Sequence, residues 1–265
     1  MKNKNMRNKR VILLLLPSLI GISIFFVIPF LGSFKYAFTE NAFNENFVWF
    51  KNFEELLSNT YFLLSVRNTC IFMFVATPVT LALSCVIAIA LWKWGKKIPF
   101  VRSAFFLPIV LPSVTIVLLW NAYFASVPPF TSLLLIFLWK YAGLDIMLIL
   151  TALCSVDHNM LDAARIDGAG GVRLFLQIVL PNIVPTLFFS LILTITNTFK
   201  IFRESFLLYG EYPNESVYML QNYLHNHFTK LNYQNISTAA LLFFFAIYIV
   251  VAIMLRMERK WSDSL

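Results

Sequence analysis

Apolar residues run along this chain in six long blocks, Val11–Phe34, Val66–Leu91, Val101–Phe124, Thr131–Leu153, Pro181–Ile201 and Thr238–Leu255. Each reaches or approaches the roughly 20 residues that carry a helix across a bilayer. In lipid every backbone amide must be satisfied within its own segment, so uninterrupted apolar blocks predict helices rather than strands or loops. The expected fold is therefore all-α: a polytopic membrane protein with about six transmembrane helices. The first block follows a basic stretch, Met1 to Arg10, in the order of a signal peptide. It is longer than an h-region of about 7–15 residues and no small-x-small cleavage site follows, so it is read as an uncleaved first helix. Pro17, Pro29, Pro78, Pro108 and Pro112 lie within the blocks and are expected as local kinks.

Composition agrees with lipid as the solvent. Hydrophobic residues make up 59% of the chain and charged residues 13%, with a mean hydropathy of +0.75; a soluble domain carries roughly 25% charged residues. The net charge of +8 does not indicate nucleic acid, because the basic residues flank the apolar blocks instead of gathering on one face. They follow the positive-inside pattern. Lys2, Lys4, Arg7, Lys9 and Arg10 precede the first block, Lys93, Lys96, Lys97 and Arg102 surround the turn after the second, and Arg256, Arg259 and Lys260 follow the sixth. With six crossings these three clusters share one side. The opposite side collects Glu40, Glu45, Glu54, Glu55, Glu211 and Glu215. Both termini are thus expected in the cytoplasm. Cys70, Cys85 and Cys154 lack metal-site or paired spacing and read as small packing residues.

Charged residues inside apolar spans are costly and are functional candidates. Lys140 and Asp145 lie in the fourth block, where they can pair or line a cavity, although their spacing does not put them cleanly on one face. Arg67, Lys200 and Arg203 lie near block ends, where long side chains can reach the interface. Val217, Leu220, Leu224 and Phe228 recur at helical spacing and predict a short amphipathic helix on the outer surface. His225 and His227 in that segment have no carboxylate or cysteine partner in the local pattern, so no metal site is assigned.

The segment 155–180 differs from an ordinary connector. Ser155, Asp157 or Asn159 can cap a short helix through Asp167, and Gly168 suits the left-handed residue that ends it. Ala163 and Ala164 put methyl groups where larger side chains would hold a partner away. A second amphipathic stretch follows, with Val172, Phe175, Leu176 and Val179 on one side, and Pro181 stands at the expected first position of the next membrane helix. The unit is a helix–glycine–helix knob on the cytoplasmic side, suited to a groove on another protein.

Asp162-Ala163-Ala164, Asp167-Gly168-Ala169, Phe175, Ile178 and Leu180-Pro181 together resemble the EAA motif of type I ABC importer permeases, the loop that docks on the ATPase subunit. Leu16-Pro17, Phe47-Val48, Asn52-Phe53, Asn68-Thr69, Phe105 to Pro108, Leu111-Pro112 and Trp139-Lys140 resemble the carbohydrate branch, of maltose and glycerol-phosphate type. The resemblance covers most of the chain. It implies a single permease domain over 1–265 that works by alternating access in a bacterial inner membrane, among membrane lipids. The implied partners are ABC ATPase subunits, a second permease subunit and an extracytoplasmic solute-binding protein. It also implies that Asp162, Ala163, Ala164, Asp167, Gly168 and Ala169 dock the ATPase. In the helix after the loop, Thr194, Asn197, Thr198 and Ile201 would face the solute pathway; interhelical hydrogen bonding is the alternative role for such groups.

The sequence departs from the family pattern in four places. Asp162 replaces the motif's glutamate, Asp157 stands near a usual proline, the link Ala125–Phe130 is short, and Gly210-Glu211-Tyr212-Pro213 replaces Gly-Gly-Pro. No G-x-x-x-x-G-K-[ST] occurs, so ATP binding through such a loop is not expected of this chain, and no catalytic set or cofactor is assigned. Two other classes compete. A secondary transporter predicts inverted repeats, which are not evident. A membrane-embedded lipid enzyme needs clustered acids or histidines, and the cytoplasmic acids Asp157, Asp162 and Asp167 are already accounted for by the loop.

Overall fold

The computed structural model describes residues 14–40, 46–94 and 99–262. The basic tail from Lys2 to Arg10, the start of the first block at Val11, Glu45, Lys96, Lys97 and the side chain of Arg102 lie outside the described residues. Ten helices can be followed: α1 (Leu14–Ala37), α2 (Lys51–Ser58), α3 (Thr60–Trp94), α4 (Pro99–Val110), α5 (Ser113–Phe124), α6 (Pro129–Ser155), α7 (His158–Ile166), α8 (Gly171–Tyr209), α9 (Leu220–Thr229) and α10 (Tyr233–Ser262). An isolated bridge between Thr39 and Phe47 is the nearest approach to a sheet among the described residues. Among the described residues five helices are long and apolar enough to cross a membrane, and α4 with α5 make a sixth if counted as one broken span.

That broken span corrects the expectation of one continuous helix over Val101–Phe124. The chain bends by 105° between α4 and α5. The cause is local: Pro112 takes an extended ψ of 140° as the residue before α5, and a proline also disfavours helical geometry in the residue preceding it.

Prolines Pro29 and Pro181 are handled differently. Each is preceded by a widened π turn, Ser23–Val27 in α1 and Phe175–Val179 in α8, followed by one residue and then the proline. Ile28 N–H donates to the Ser23 carbonyl and Leu180 N–H to that of Phe175, five residues back in each case. Proline has no N–H and its ring clashes with the carbonyl four residues earlier; a π turn opens the backbone where that clash would fall. Pro181 therefore does not begin the membrane helix as expected. Helical structure starts at Gly171 and runs through it.

Residue contacts divide the chain into two compact units, 1–60 with 224–246 and 61–223 with 247–265. In the first, Phe30 packs on Phe244, Phe34 on Phe245 and Tyr36 on Tyr233, joining α1 to the start of α10. Asn52 Nδ2 donates to the carbonyls of Ala37 and Thr39, which holds α2 against the end of α1.

The second unit is built around α6. One core cluster joins Ile146, Ile149 and Leu153 of α6 to Ala88 and Leu91 of α3 and to Val179 and Ile183 of α8. A second joins Leu133, Ile136 and Phe137 of α6 to Phe72 of α3, Ile116 of α5 and Ile201 of α8. Gly143 permits a close approach of α4 to α6, since a Cβ there would fall on the carbonyl oxygen of Phe105 in α4. The segment expected as a surface helix, 217–230, is a 3₁₀ turn at Glu215–Val217 followed by α9. Val217, Leu220, Asn222, Tyr223 and Asn226 are buried while Phe228 is exposed, so its packed face is partly polar. The apolar spacing misses this because hydrogen bonds hold the segment: Leu220 N–H donates to Thr69 Oγ1, and Asn68 donates to the carbonyls of Glu215 and Tyr218.

Candidate functional site

Between α6 and α8 lies the loop singled out by its sequence. Asp157 is the cap: its carboxylate accepts from Asn159 N–H at 2.9 Å and α7 begins at the next residue. Ser155 instead donates to the Ala152 carbonyl. The helix ends with Ala169 N–H donating to Ala164 O and Gly168 N–H to Arg165 O, with Gly168 at φ +83°. These two bonds and the left-handed glycine are a Schellman motif, which satisfies carbonyls that a helix end otherwise leaves bare.

Leu161 and Leu174 are buried in the same cluster as the ends of α3, α6 and α8, so the knob is anchored in the helical core at its base. Ala164 packs against that cluster, Ala169 is half-buried, and Asp162, Ala163, Asp167 and Gly168 are exposed. Asp162 pairs with Arg165 across one turn at 2.9 Å, with both side chains in the open. Such a pair contributes at most about 1 kcal/mol. Ile166 leaves 86% of its surface exposed at the tip. Val172, Phe175, Leu176 and Val179 line one groove of about 710 Å3, together with Trp92, Lys93 and Arg165. The buried leucine of that stretch is Leu174, which the sequence pattern did not single out.

The four residues expected along the solute pathway are all buried. Thr194 Oγ1 donates to Asp145 Oδ2 at 2.7 Å, Thr198 donates to the Ile195 carbonyl, and Asn197 Oδ1 accepts from Lys200 Nζ at 2.9 Å. Ile201 belongs to the second core cluster. Ser190, one turn before Thr194 on the same face, donates to Asp145 Oδ1. Two hydroxyls thus serve both oxygens of one buried carboxylate and tie α6 to α8.

Lys140 and Asp145 do not pair. Lys140 Nζ lies 2.5 Å from Glu204 Oε1, and Ser113 Oγ donates to the same oxygen at 2.6 Å. This cluster links α6, α5 and α8 immediately after the break at Pro112. Sequence reading missed Glu204; it is fully buried, and its position between Arg203 and Ser205 in a stretch read as external gave no periodic signal. Beside the cluster is a cavity of about 410 Å3. Its walls carry the cations Lys140, Lys200 and Arg203, the aromatic rings of Tyr141, Phe199 and Phe202, and Gln221.

Comparison with known proteins agrees with this architecture. Residues 99–261 match the family described as binding-protein-dependent transport system inner membrane component. The probable ABC transporter permease protein MG188 of Mycoplasma genitalium is 30% identical over 77% of this chain and 70% of its own length. The multiple sugar-binding transport system permease protein of Streptococcus mutans is 27% identical over 94% of both chains. Among solved structures, a chain of a bacterial ABC transporter involved in the import of the acidic polysaccharide alginate has the same fold, with a TM-score of 0.78 and 22% identity over 97% of this chain and 98% of that one. A long match that spans the loop, a relative at this level of identity, and a fold shared over nearly the whole length lead to one assignment: the chain belongs to the inner-membrane components of binding-protein-dependent transport systems.

Proposed function

We propose that this chain is one of two permease subunits of an importer that moves a sugar or related polar solute into the cytoplasm, with ATP hydrolysis left to partner ATPases. The sugar assignment is supported by the relative in Streptococcus mutans, whose name gives sugar binding as its system's role. A solute-binding protein delivers the cargo on the outside. The whole chain acts as one permease domain, 155–180 is its coupling loop, and both termini face the cytoplasm. Thr194, Asn197, Thr198 and Ile201 lie along the solute pathway and come into contact with cargo when α8 moves relative to α6, which exchanges the Thr194–Asp145 bond for bonds to the solute.

The observation that carries the docking role is the shape of the loop: a capped helix, closed by a glycine turn, anchored by Leu161 and Leu174 and presenting Ile166 to solvent. An isoleucine that exposed adds nothing to packing within this chain and offers an apolar tip to an ATPase groove, with Asp162, Ala163, Ala164, Asp167, Gly168 and Ala169 forming its surroundings. Ile166→Glu is expected to leave expression and membrane insertion unchanged while co-purification of the ATPase falls at least several-fold. Undiminished co-purification with normal uptake would remove the tip from the interface.

A further inference from the structure

We propose that the cavity bounded by Lys140, Lys200 and Arg203 is a subsite for an anionic group of the cargo, a carboxylate or phosphate carried on a sugar ring. The inference rests on the permease reading and narrows its solute class. Its first support is the charge balance around the cavity. Lys140 is neutralised by Glu204, whereas Lys200 donates to a neutral amide oxygen on Asn197 and Arg203 has no carboxylate partner among the described residues. Two positive charges on α8 therefore have no carboxylate partner among the described residues, while both border the same cavity. Both residues are exposed and so open to an anion arriving from outside the chain, and a guanidinium next to an ammonium suits a carboxylate or phosphate through charge-assisted hydrogen bonds.

The second support is the rest of the wall. Phe199 and Phe202 line the cavity half-buried, and aromatic side chains match the C–H faces of a sugar ring; the Gln221 amide can exchange hydrogen bonds with hydroxyls. Lys140 Nζ, 5.4 Å from the centroid of the Tyr141 ring, shows that cation and aromatic face are held side by side. At about 410 Å3 the cavity falls in the range of small-molecule pockets, roughly 300–1,000 Å3. A simple inorganic anion would use the cations and leave the rings idle; an apolar ligand would do the reverse.

Lysine and arginine near span ends also reach lipid phosphates, so the test separates a sugar-borne anion from a headgroup. The complete importer, with its ATPases and second permease subunit, is placed in nanodiscs of phosphatidylcholine alone. Binding is measured for trigalacturonic acid against its neutral methyl ester, and for glucose 6-phosphate against glucose. At least one charged probe is expected to bind about tenfold tighter than its neutral counterpart, the yield of roughly one good charge-assisted contact. Lys200→Gln and Arg203→Gln should each remove most of that preference without weakening the neutral probe, and added salt should narrow it. Equal binding of charged and neutral probes, binding of neither, or a preference that survives both substitutions overturns the proposal. So does phosphatidylglycerol in the nanodiscs if it abolishes charged-probe binding, because the cations then hold a headgroup. A complex that assembles and couples hydrolysis to its binding protein but treats the probes alike sinks only the anion subsite. Failure to assemble with any ABC ATPase sinks the permease reading itself.

Discussion

At the scale of single residues, Gly168 has the sharpest consequence. A Cβ built there meets nothing within 4 Å, so the position excludes other residues through its φ of +83° and not through crowding. Side chains in the left-handed region cost about 1–2 kcal/mol, more when β-branched. Gly168→Val should therefore distort the knob while the protein still inserts and accumulates, and ATPase co-purification or coupled uptake should drop. Gly168→Asn, which tolerates this conformation, is expected to retain most of both. Identical behaviour of the valine and asparagine variants would show that the turn does not transmit coupling. Lys140 teaches a different lesson. Its charge stands out in an apolar block, but its partner Glu204 lies 64 residues away and no periodicity joins them.

At the scale of elements, α6 sets the packing of the second unit, and Gly143 decides how near α4 can come. A methyl group there would overlap the backbone carbonyl of Phe105, which cannot swing aside as a flexible side chain would. Gly143→Ala should push α4 away from α6, lowering the thermal stability and yield of the detergent-purified protein. Unchanged yield and melting temperature would mean that α4 shifts freely. The interrupted span formed by α4 and α5 belongs to this scale as well. Leu111-Pro112 was visible as a kink signal, whereas the size of the bend, 105°, depends on what α5 packs against, including Glu204 through Ser113.

For the whole molecule, the distribution of Lys and Arg makes a prediction about sidedness. Reporter fusions at Gly170 and after Lys260 should report the cytoplasm, and a fusion near Asn222 the outside. A cytoplasmic signal at Asn222 would overturn the six-crossing arrangement. Under the proposed function, that sidedness would turn the coupling loop 155–180 toward the ATPases and the cavity at Lys200 and Arg203 toward the side where a binding protein delivers cargo.

The sequence by itself determined the solvent and the all-helical class, because a 20-residue apolar block has one low-energy solution in lipid and its length is read directly from the chain; the break at Pro112 and the start of α8 at Gly171 came only with the structure. It also determined the loop. Asp157, Ala163, Ala164 and Gly168 act through bonds and dihedral angles within a few residues, so local order suffices to predict a cap, a short helix and a left-handed turn. Tertiary structure alone decided the buried polar pairings. Asp145 with Ser190 and Thr194, and Lys140 with Glu204 and Ser113, join groups on different helices. Which of several buried polar groups meet depends on helix rotation and depth. Those are set by packing at contacts such as Gly143 against Phe105, which leave no periodic trace in the chain.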